Sequence, residues 1–375
     1  MRIEDLRTPA ALVDLEKTER NASRMSERAT RLGARLRPHV KTHKTLEAAR
    51  IQVRGQFGGI AVSTMAEAAF FADAGFRDIT YAVPIAPARL AEAAALARRL
   101  DRFAILLDDP AVADAAETCS RERGVRLGVF LKVDCGARRA GVDPELEDGV
   151  ALAGRLASSP QLEFRGILTH AGQSYRCRNV AEIRAVAAAE RDVMTGFASR
   201  LRRTGVPVGE VSIGSTPTLS VANDLAGVTE VRPGNYVFFD STQVAIGTCA
   251  LEDVAFSMLV RVIGRYPRRR ELVVDGGALA LSKDPGPVHV DPECGYGFVL
   301  DAHGEPRHGL RVVSLSQEHG VVRSARDLAP GELPIGSLLR IVPNHSCLAA
   351  ALFDRYAVVH GGDAIIAEWR PVRGW

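Results

Sequence analysis

The chain has 375 residues, of which 46% are hydrophobic, and its 48 basic and 45 acidic side chains leave a formal net charge of +3. This length allows one large core or two domains, and the mixed charge gives no indication of a nucleic-acid partner. No run approaches about 18 apolar residues, and the N-terminal segment lacks the apolar region of a signal peptide, so we expect no membrane association. Six cysteines without a CxxC spacing are typical of reduced thiols in a cytoplasmic protein.

Short apolar runs rich in β-branched residues alternate with helix-forming stretches up to about residue 240. The predicted strands are 34–42, 57–63, 78–84, 102–109, 125–134, 163–172, 210–216 and 230–240. The intervening segments, such as 65–76 and 87–100, have apolar residues at the three- to four-residue spacing of helices. This alternation predicts an α/β fold, a (β/α)8 barrel over residues 1–245, with a doubly wound open sheet as the alternative.

From residue 246 onward, strand-like runs continue but long amphipathic helices are absent. The runs are 256–265, 271–277, 311–320, 337–343, 356–360 and 365–369. They predict a smaller, mostly β domain over 246–375. Roughly the first ten residues of the chain can join this domain, because boundaries are the least certain part of such a prediction.

Residues 37–44, RPHVKTHK, contain two of only five lysines in a chain with 43 arginines. Lys41 falls at the C-terminal end of the first predicted strand, where barrels carry their chemistry. A partly desolvated amine at that place can form a Schiff base with an aldehyde, although an exposed strand-end charge is an equally good interpretation from this segment alone. Lys44 is interpreted as a loop residue. His39 is predicted to share the face of Lys41, and His43 has no assigned role.

A second group of residues indicates an anion site. Barrels often bind phosphate in the loops after strands 7 and 8, and the seventh predicted strand ends in SIGSTPT (212–218). Gly214 allows close backbone approach, Ser215 and Thr216 offer hydroxyl and N–H donors, and Tyr236 in the eighth strand can donate to a phosphate oxygen. A lysine after the first strand combined with this anion site indicates pyridoxal 5'-phosphate (PLP), although each loop taken alone could be an ordinary one.

Two further strand ends carry suitable groups. CGARRAGV (135–142) presents an arginine pair, one member of which can reach the pyridine nitrogen and weaken the ring as an electron sink. THAGQSY (169–175) presents His170 and Tyr175, and a histidine there can stack on the ring or bond its phenolic oxygen. Singly, each of these is more simply a loop residue.

The predicted β domain contains PNHSC (343–347). His345 and Cys347 are two residues apart, so on an extended segment they project to the same side. Imidazole and thiolate are zinc ligands, but an isolated pair is more often structural, and a zinc held by two side chains needs water and substrate as further ligands. SQEHG (316–320) offers Gln317, Glu318 and His319 as additional polar candidates.

Over nearly its whole length the chain resembles the D-threonine aldolase/D-serine dehydratase family of fold-type III PLP enzymes, which are related in architecture to alanine racemase. The motifs that carry the resemblance are TPAALVDL (8–15), RPHVKTHK, STMAEA (63–68), CGARRAGV, THAGQSY, GSTPT (214–218), GNYVFFD (234–240), SQEHG and PNHSC. The resemblance implies a PLP-bearing barrel, a C-terminal β domain and a homodimer. It implies that Lys41 is linked to PLP and that Arg139, rather than Arg138, faces the pyridine nitrogen. The positions that match the cofactor pocket are His170, Tyr175, Gly214, Ser215, Thr216 and Tyr236, and His39 is expected to help shape it.

The same resemblance makes His345 and Cys347 the metal ligands. The H-x-C form is similar to the dehydratase branch, in which zinc is usual, whereas the aldolase branch more often has H-x-D, a harder set suited to manganese or magnesium. Zn²⁺ is therefore the expected ion, with Mn²⁺ or Mg²⁺ as alternatives. LAAALF (348–353) follows Cys347, where a small polar residue is expected.

The implied reaction is dehydration of a β-hydroxy D-amino acid, such as D-serine, D-threonine or 3-hydroxy-D-aspartate, to a 2-oxo acid and ammonia. Lys41 removes the Cα proton and zinc stabilises the departing hydroxide. The alternatives are an aldolase that cleaves Cα–Cβ, a racemase with a second base such as Tyr266, Tyr296 or Tyr356, and a PLP carrier without activity. Residues 246–375 and PNHSC argue against the carrier.

Overall fold

The computed structural model describes all 375 residues. The strands are β1 (Ala10–Asp14), β2 (Arg35–Leu36), β3 (Ile60–Val62), β4 (Asp78–Pro84), β5 (Arg102–Leu107), β6 (Leu127–Lys132), β7 (Leu162–Leu168), β8 (Glu210–Ile213), β9 (Glu230–Val231), β10 (Phe256–Tyr266), β11 (Glu271–Val274), β12 (Phe298–Asp301), β13 (Pro306–Leu315), β14 (Gly320–Ser324), β15 (Leu338–Val342), β16 (Tyr356–Val359) and β17 (Ala367–Trp369). The α-helices are α1 (Leu15–Arg31), α2 (Leu46–Val53), α3 (Met65–Asp73), α4 (Leu90–Ala97), α5 (Pro110–Arg123), α6 (Glu147–Ser158), α7 (Val180–Arg203), α8 (Thr216–Val221), α9 (Ser241–Ala245), α10 (Ala278–Leu281) and α11 (Ser346–Ala350). None of them is both long and apolar enough to cross a membrane.

The chain forms two compact units, one of Met1–Ser23 with Asn235–Pro371 and one of Arg24–Gly234 with Val372–Trp375. The sequence-based division at residues 245 and 246 stays a prediction. All six cysteines are free thiols.

The second unit is a closed barrel. Strands β2 to β9 are all parallel and follow one another in chain order around the sheet, β9 pairing back onto β2. A parallel bridge between His39 and Ala61 closes the remaining gap between the segment after β2 and β3. This confirms the predicted (β/α)8 barrel and rules out the open sheet, because an open sheet would leave two unpaired edges.

Local sequence explains where the barrel helices begin and end. In α5, Asp109 accepts hydrogen bonds from the N–H groups of Ala111 and Val112 at 2.7 and 3.3 Å, and Pro110 occupies the first turn. Gly124 ends the helix in the left-handed conformation, with φ of 59°. An acidic N-cap, a proline at the first position and a glycine at the end are the signals that helix termini favour.

The N-terminal end of the barrel is held by a buried ion-pair network. The Arg37 side chain is 1% exposed, and its guanidinium donates to Glu230 and to Asp78, each at 2.7 Å. Although burial opposes it, these two carboxylates raise the pKa of Arg37, and Arg37 in turn keeps the pKa of Glu230 low despite its burial. The network joins Arg37, which follows β2, to the first residues of β9 and β4. It therefore lies at the end of the barrel opposite Lys41.

The first unit is built on one nine-stranded sheet in the order β11-β14-β13-β12-β15-β10-β1-β16-β17. Strand β1 lies within it, antiparallel to β10 and parallel to β16. Phe238, Phe256 and Tyr356 form an aromatic cluster on it, with ring centroids 5.3 to 6.3 Å apart. The predicted mostly β character of this part of the chain is therefore confirmed.

Candidate active site

Lys41 lies in a short 3-10 turn, Val40–Thr42, at the C-terminal mouth of the barrel. His39 caps this turn, because its ring Nδ1 accepts the Lys41 N–H at 3.4 Å. The backbone just before Lys41 is bonded to the segments on both sides of it in the barrel: the His39 N–H donates to the Pro233 carbonyl and the Ala61 N–H donates to the Pro38 carbonyl, each at 2.9 Å. Lys41 is partly buried and His39 is buried, and both lie in the turn that follows β2 rather than, as predicted, at the end of a strand that reaches residue 42.

Lys44 is occupied by an ion pair. Its ammonium lies 3.0 Å from a carboxylate oxygen of Glu67, whose side chain is 1% exposed, and the Glu67 carboxylate also accepts the Ser63 N–H at 2.9 Å. The Lys44 backbone has a φ of 56°, which is unusual for a residue other than glycine. These contacts support the sequence interpretation that Lys44 is not the nucleophile, and they give STMAEA (63–68) a structural role.

His43 is fully buried and supports the segment that carries Lys41 through two hydrogen bonds. Its Nδ1 accepts the Thr45 N–H at 3.0 Å, and its Nε2 donates to Gln52 Oε1 at 2.8 Å. Burial lowers the pKa of His43 to about 4, so the ring is neutral at physiological pH. This residue had no role in the sequence analysis, and the structure assigns it to support of the turn that carries Lys41.

Positive charge is concentrated around Lys41. Burial, and then the neighbouring ammonium of Lys41, hold the pKa of His170 well below its usual value, and Arg139 acts in the same direction. Burial and Lys41 lower the pKa of His39 in the same way, with Arg232 adding to the effect. The barrel mouth is thus electropositive and suits an anionic ligand.

Two members of this cluster were missed by the sequence analysis. Lys132 ends β6 with 4% exposure, and burial together with Arg232 lowers its pKa to about 8. Arg232 follows β9, and its guanidinium donates to the Ser212 hydroxyl and the Thr169 carbonyl. Lys132 could have been found, since it is another of the five lysines and closes a strand; Arg232 is one arginine among 43.

The GST loop has the predicted position after β8. Gly214 adopts a φ of 115°, and a side chain there would lie 3.0 Å from the Arg232 N–H nitrogen, so glycine is required. Ser215 caps α8 by accepting the Thr218 N–H at 3.2 Å, and its hydroxyl lies 2.9 Å from that of Ser174. Thr216 begins the helix and is fully buried.

A buried carboxylate fixes the shape of this loop. Glu190 of α7 accepts the Gly214 N–H at 2.9 Å and the Ala171 N–H at 3.2 Å. Burial raises the pKa of Glu190. It connects the loops after β7 and β8, and no local signal in the long helix α7 distinguishes it from the other glutamates.

The remaining candidates within the barrel unit follow the C-terminal ends of β6 and β7. His170 Nδ1 donates to the Gly214 carbonyl at 3.2 Å, and its ring centroid is 6.4 Å from that of Tyr175. Arg138 and Arg139 are both exposed, and Arg138 uses its N–H to bond Asp134. Tyr236 belongs to the other unit, where it is buried in the turn Asn235–Val237. That these residues contact PLP stays a prediction.

The donor set at the barrel mouth fits PLP. An amine for the aldehyde lies on a rigid turn, several cations surround it, and a glycine-containing loop and a capped helix start follow β8. A doubly charged phosphate would offset the positive charge that lowers the pKa values of both histidines. Lys41, Gly214, Ser215 and Thr216 are the residues that would hold it.

His345 and Cys347 lie at the start of α11. His345 is the extended residue before the helix and Cys347 lies in its first turn, so the helix start, rather than the predicted strand alternation, brings the side chains together. His345 Nδ1 is 3.3 Å from Asp284 Oδ2, and the Asn235 amide nitrogen is 3.7 Å from Cys347 Sγ. Burial lowers the pKa of His345, but the sulfur and the Asp284 carboxylate outweigh it and raise that pKa well above its usual value.

This pair fits a metal with two protein ligands. No set of three or more His, Cys, Asp or Glu side chains converges anywhere in the chain. Asp284 can accept the proton on Nδ1 while a metal ion takes the place of the proton on Nε2, and nitrogen with sulfur is a donor set that zinc favours. Gln317, Glu318 and His319 are exposed in the turn between β13 and β14.

Comparison with known proteins agrees with both units. The family model "Alanine racemase, N-terminal domain" matches residues 13–242, and "Putative serine dehydratase domain" matches 255–359. D-threo-3-hydroxyaspartate dehydratase of Delftia sp. is 40% identical, covering 99% of this chain and 98% of the relative. This chain belongs to the alanine racemase-like family of PLP enzymes that includes D-serine dehydratase. D-serine dehydratase of Dictyostelium discoideum lies in the same family. It is 38% identical to this chain, and the match covers 100% of this chain and 98% of the relative.

Members of the D-serine dehydratase family include aldolases as well as dehydratases. The 3-hydroxy-D-aspartate aldolase of Paracoccus denitrificans is 27% identical, covering 96% of this chain and 90% of its own. Among solved structures, the Delftia dehydratase superposes with a TM-score of 0.94 at 39% identity, over 100% of both chains. Two solved variants of D-threo-3-hydroxyaspartate dehydratase also match over 100% of this chain at 38% identity. A histidine-to-alanine variant has a TM-score of 0.95 over 97% of its own chain, and a cysteine-to-alanine variant, two positions further along and in the metal-free form, has a TM-score of 0.94 over 100% of its own chain.

Proposed function

We propose that this protein is a PLP- and metal-dependent dehydratase that converts a β-hydroxy D-amino acid to a 2-oxo acid and ammonia. The observation that carries the proposal is the His345–Cys347 pair in a chain that is 40% identical, along its full length, to a dehydratase. The aldolase relatives are less similar, at 27 and 28% identity.

Lys41 acts at the Cα–H bond. PLP, when bound, supplies the electron sink that makes this proton acidic. The Lys41 amine takes the proton from Cα as general base, and His39 holds the turn in place through its hydrogen bond to the Lys41 N–H. The backbone just before Lys41 is fixed by hydrogen bonds to the segments on both sides of it, which limits the reorganisation that precedes the transfer.

The cations around Lys41 serve binding rather than proton transfer. Lys132 and Arg232 are buried, so their charges are poorly screened and attract an anionic phosphate or substrate carboxylate strongly. The Gly214 backbone and the capped start of α8 provide close approach for an anion. Glu190 and His170 fix the loops on which these groups lie.

His345 and Cys347 hold the metal, which supplies a Lewis acid for the departing hydroxide when bound. The soft sulfur donor favours Zn²⁺ over Mn²⁺ or Mg²⁺. Support comes from solved variants of D-threo-3-hydroxyaspartate dehydratase, which change a histidine and a cysteine at the same two-residue spacing, the latter in a metal-free form.

The test is product identification with a panel of substrates. The protein loaded with PLP and zinc is incubated with D-serine, D-threonine and both diastereomers of 3-hydroxy-D-aspartate, and with the L-enantiomers as controls. We expect 2-oxo acid and ammonia from at least one D-substrate, and loss of that activity after zinc removal. Glycine and an aldehyde as the main products would make the protein an aldolase, and exchange of the Cα proton alone would make it a racemase.

The assembly and location follow from the family resemblance. We expect a homodimer in the cytoplasm. Size-exclusion chromatography with light scattering should give about twice the 40.3 kDa chain mass.

A further inference from the structure

The loop KDPGP (283–287) brings an acidic side chain to the His345 imidazole. Asp284 uses its two carboxylate oxygens for different partners: Oδ1 accepts the Gly286 N–H at 2.8 Å, and Oδ2 lies 3.3 Å from His345 Nδ1. The first bond fixes the carboxylate plane within the loop. The second therefore determines the direction in which the imidazole points.

The loop itself is anchored beside PNHSC. The Asn344 amide donates to the backbone carbonyls of Asp284 and Gly295, at 3.1 and 2.8 Å, and its oxygen accepts the Ser241 hydroxyl at 2.7 Å. Gly286 has a φ of 69°, and a side chain there would lie 2.4 Å from the Asn344 amide. Asp284 is thus held next to His345 by contacts that do not involve the imidazole.

The sulfur side is supported separately. The buried Asn235 amide lies 3.7 Å from Cys347 Sγ and donates to Asp240 Oδ2 at 2.7 Å. The same Asp240 oxygen accepts the Ser346 N–H at 3.1 Å, at the start of the helix that carries Cys347. Both side chains of the pair are therefore oriented by neighbours before any ion binds.

We infer that Asp284 is a positioning residue for the metal: it accepts the His345 Nδ1 proton, selects the tautomer with a free Nε2, and holds that nitrogen toward the ion bound by Cys347. The inference rests on the metal site of the proposed function. Removing such a carboxylate weakens metal binding because the imidazole must then be oriented by the ion alone and becomes less basic.

The test is zinc affinity of the PLP-loaded full chain, measured by competition with a chromophoric chelator. We expect Asp284→Ala to weaken zinc binding about 10- to 100-fold. Asp284→Asn keeps one oxygen, which can accept from either the Gly286 N–H or His345 Nδ1 but not from both, and it loses the charge. Its zinc affinity should lie between that of Asp284→Ala and that of the unaltered protein. The visible absorption of PLP should not change in either variant, which shows that the barrel remains folded and loaded.

Asp291→Asn is the matched control. Asp291 lies in the same connection between α10 and β12 and accepts the Glu293 N–H at 2.9 Å in a similar turn, but it pairs with Arg311 rather than with a histidine. Its zinc affinity should equal that of the unaltered protein. Equal weakening in Asp284→Asn and Asp291→Asn would overturn the inference, since loop disruption would then explain both.

The variant His345→Ala distinguishes a failure of the metal site from a failure of the role inferred for Asp284. If His345→Ala loses zinc while both Asp284 variants bind it normally, the inference about Asp284 is wrong and the metal site stands. If His345→Ala binds zinc as tightly as the unaltered protein, the metal site in the proposed function is wrong, and the inference falls with it.

Discussion

His43 is predicted to make the segment that carries Lys41 sensitive to acid. The perturbation is His43→Gln, in which the glutamine amide nitrogen can take the place of Nε2 and donate to Gln52. The variant loses the acceptor for the Thr45 N–H, so at neutral pH it should be less stable by about 1 kcal/mol. The variant also loses the titrating ring, and that loss changes how the free energy of unfolding depends on pH.

The magnitude follows from the burial of the ring. The pKa of His43 falls from 6.5 to about 4 on folding, so between these values the unfolded chain binds more protons than the folded one. Stability is therefore lost as the pH falls through this window. The full effect is about 3 kcal/mol, and about 2 kcal/mol is lost by pH 5.

The assay is urea unfolding followed by circular dichroism at pH 7 and pH 5. The unaltered protein should lose about 2 kcal/mol more of its free energy of unfolding between these two pH values than His43→Gln does. His308→Gln, which removes an exposed histidine on β13, should behave as the unaltered protein. Equal losses in the unaltered protein and His43→Gln would refute the assignment of His43 as a buried neutral support.

Three further predictions concern the two sites and the barrel end. Lys41→Ala should lose the visible absorption of lysine-bound PLP while Lys44→Ala keeps it, and retained absorption in Lys41→Ala would remove Lys41 from its proposed role. Cys347→Ala should keep that absorption but lose most dehydratase activity in steady-state assays with zinc present, and unchanged activity would contradict the metal role. Arg37→Met removes the ion-pair partner of the buried Glu230 and leaves it only the Ser212 hydroxyl and the charge of Arg232, so urea unfolding should show a loss of about 3 kcal/mol; a change below about 1 kcal/mol would mean that the pair contributes little.

The architecture could be read from the sequence because its signal is periodic. Strand and helix patterns alternate at regular spacing, and each observed barrel strand lies in or next to a predicted run. The first strand is shorter than predicted, ending at Leu36 rather than 42. Pro38 has no N–H to donate, which interrupts the regular pairing after Leu36, and only the isolated bridge of His39 to Ala61 continues it before the Lys41 turn. In the β unit, β1, β12 and β14 were not predicted, and each is a run of only four or five residues.

The site was only partly predictable because the residues that support the candidate ligands and loops reach them through long-range contacts. Lys41, the GST loop and the H-x-C pair carry local signals, and the GST loop follows β8 as predicted. Lys41 lies in a turn beyond the end of β2, and the H-x-C pair lies at a helix start rather than on a strand. Glu190 and Asp284 meet their partners across 24 and 61 positions of chain, and nothing in their own segments marks them. In a chain with 45 acidic residues, such a carboxylate is recognised only once its burial and its partner are known.

The central claim, that the protein eliminates the β-hydroxyl rather than cleaving Cα–Cβ, is tested most directly with D-threonine, which can undergo either reaction. The products formed by the protein loaded with PLP and zinc are identified by mass spectrometry, with His345→Ala as the control. The account predicts 2-oxobutanoate and ammonia, and their loss in His345→Ala. Glycine and acetaldehyde in equal amounts, without 2-oxobutanoate, would contradict it.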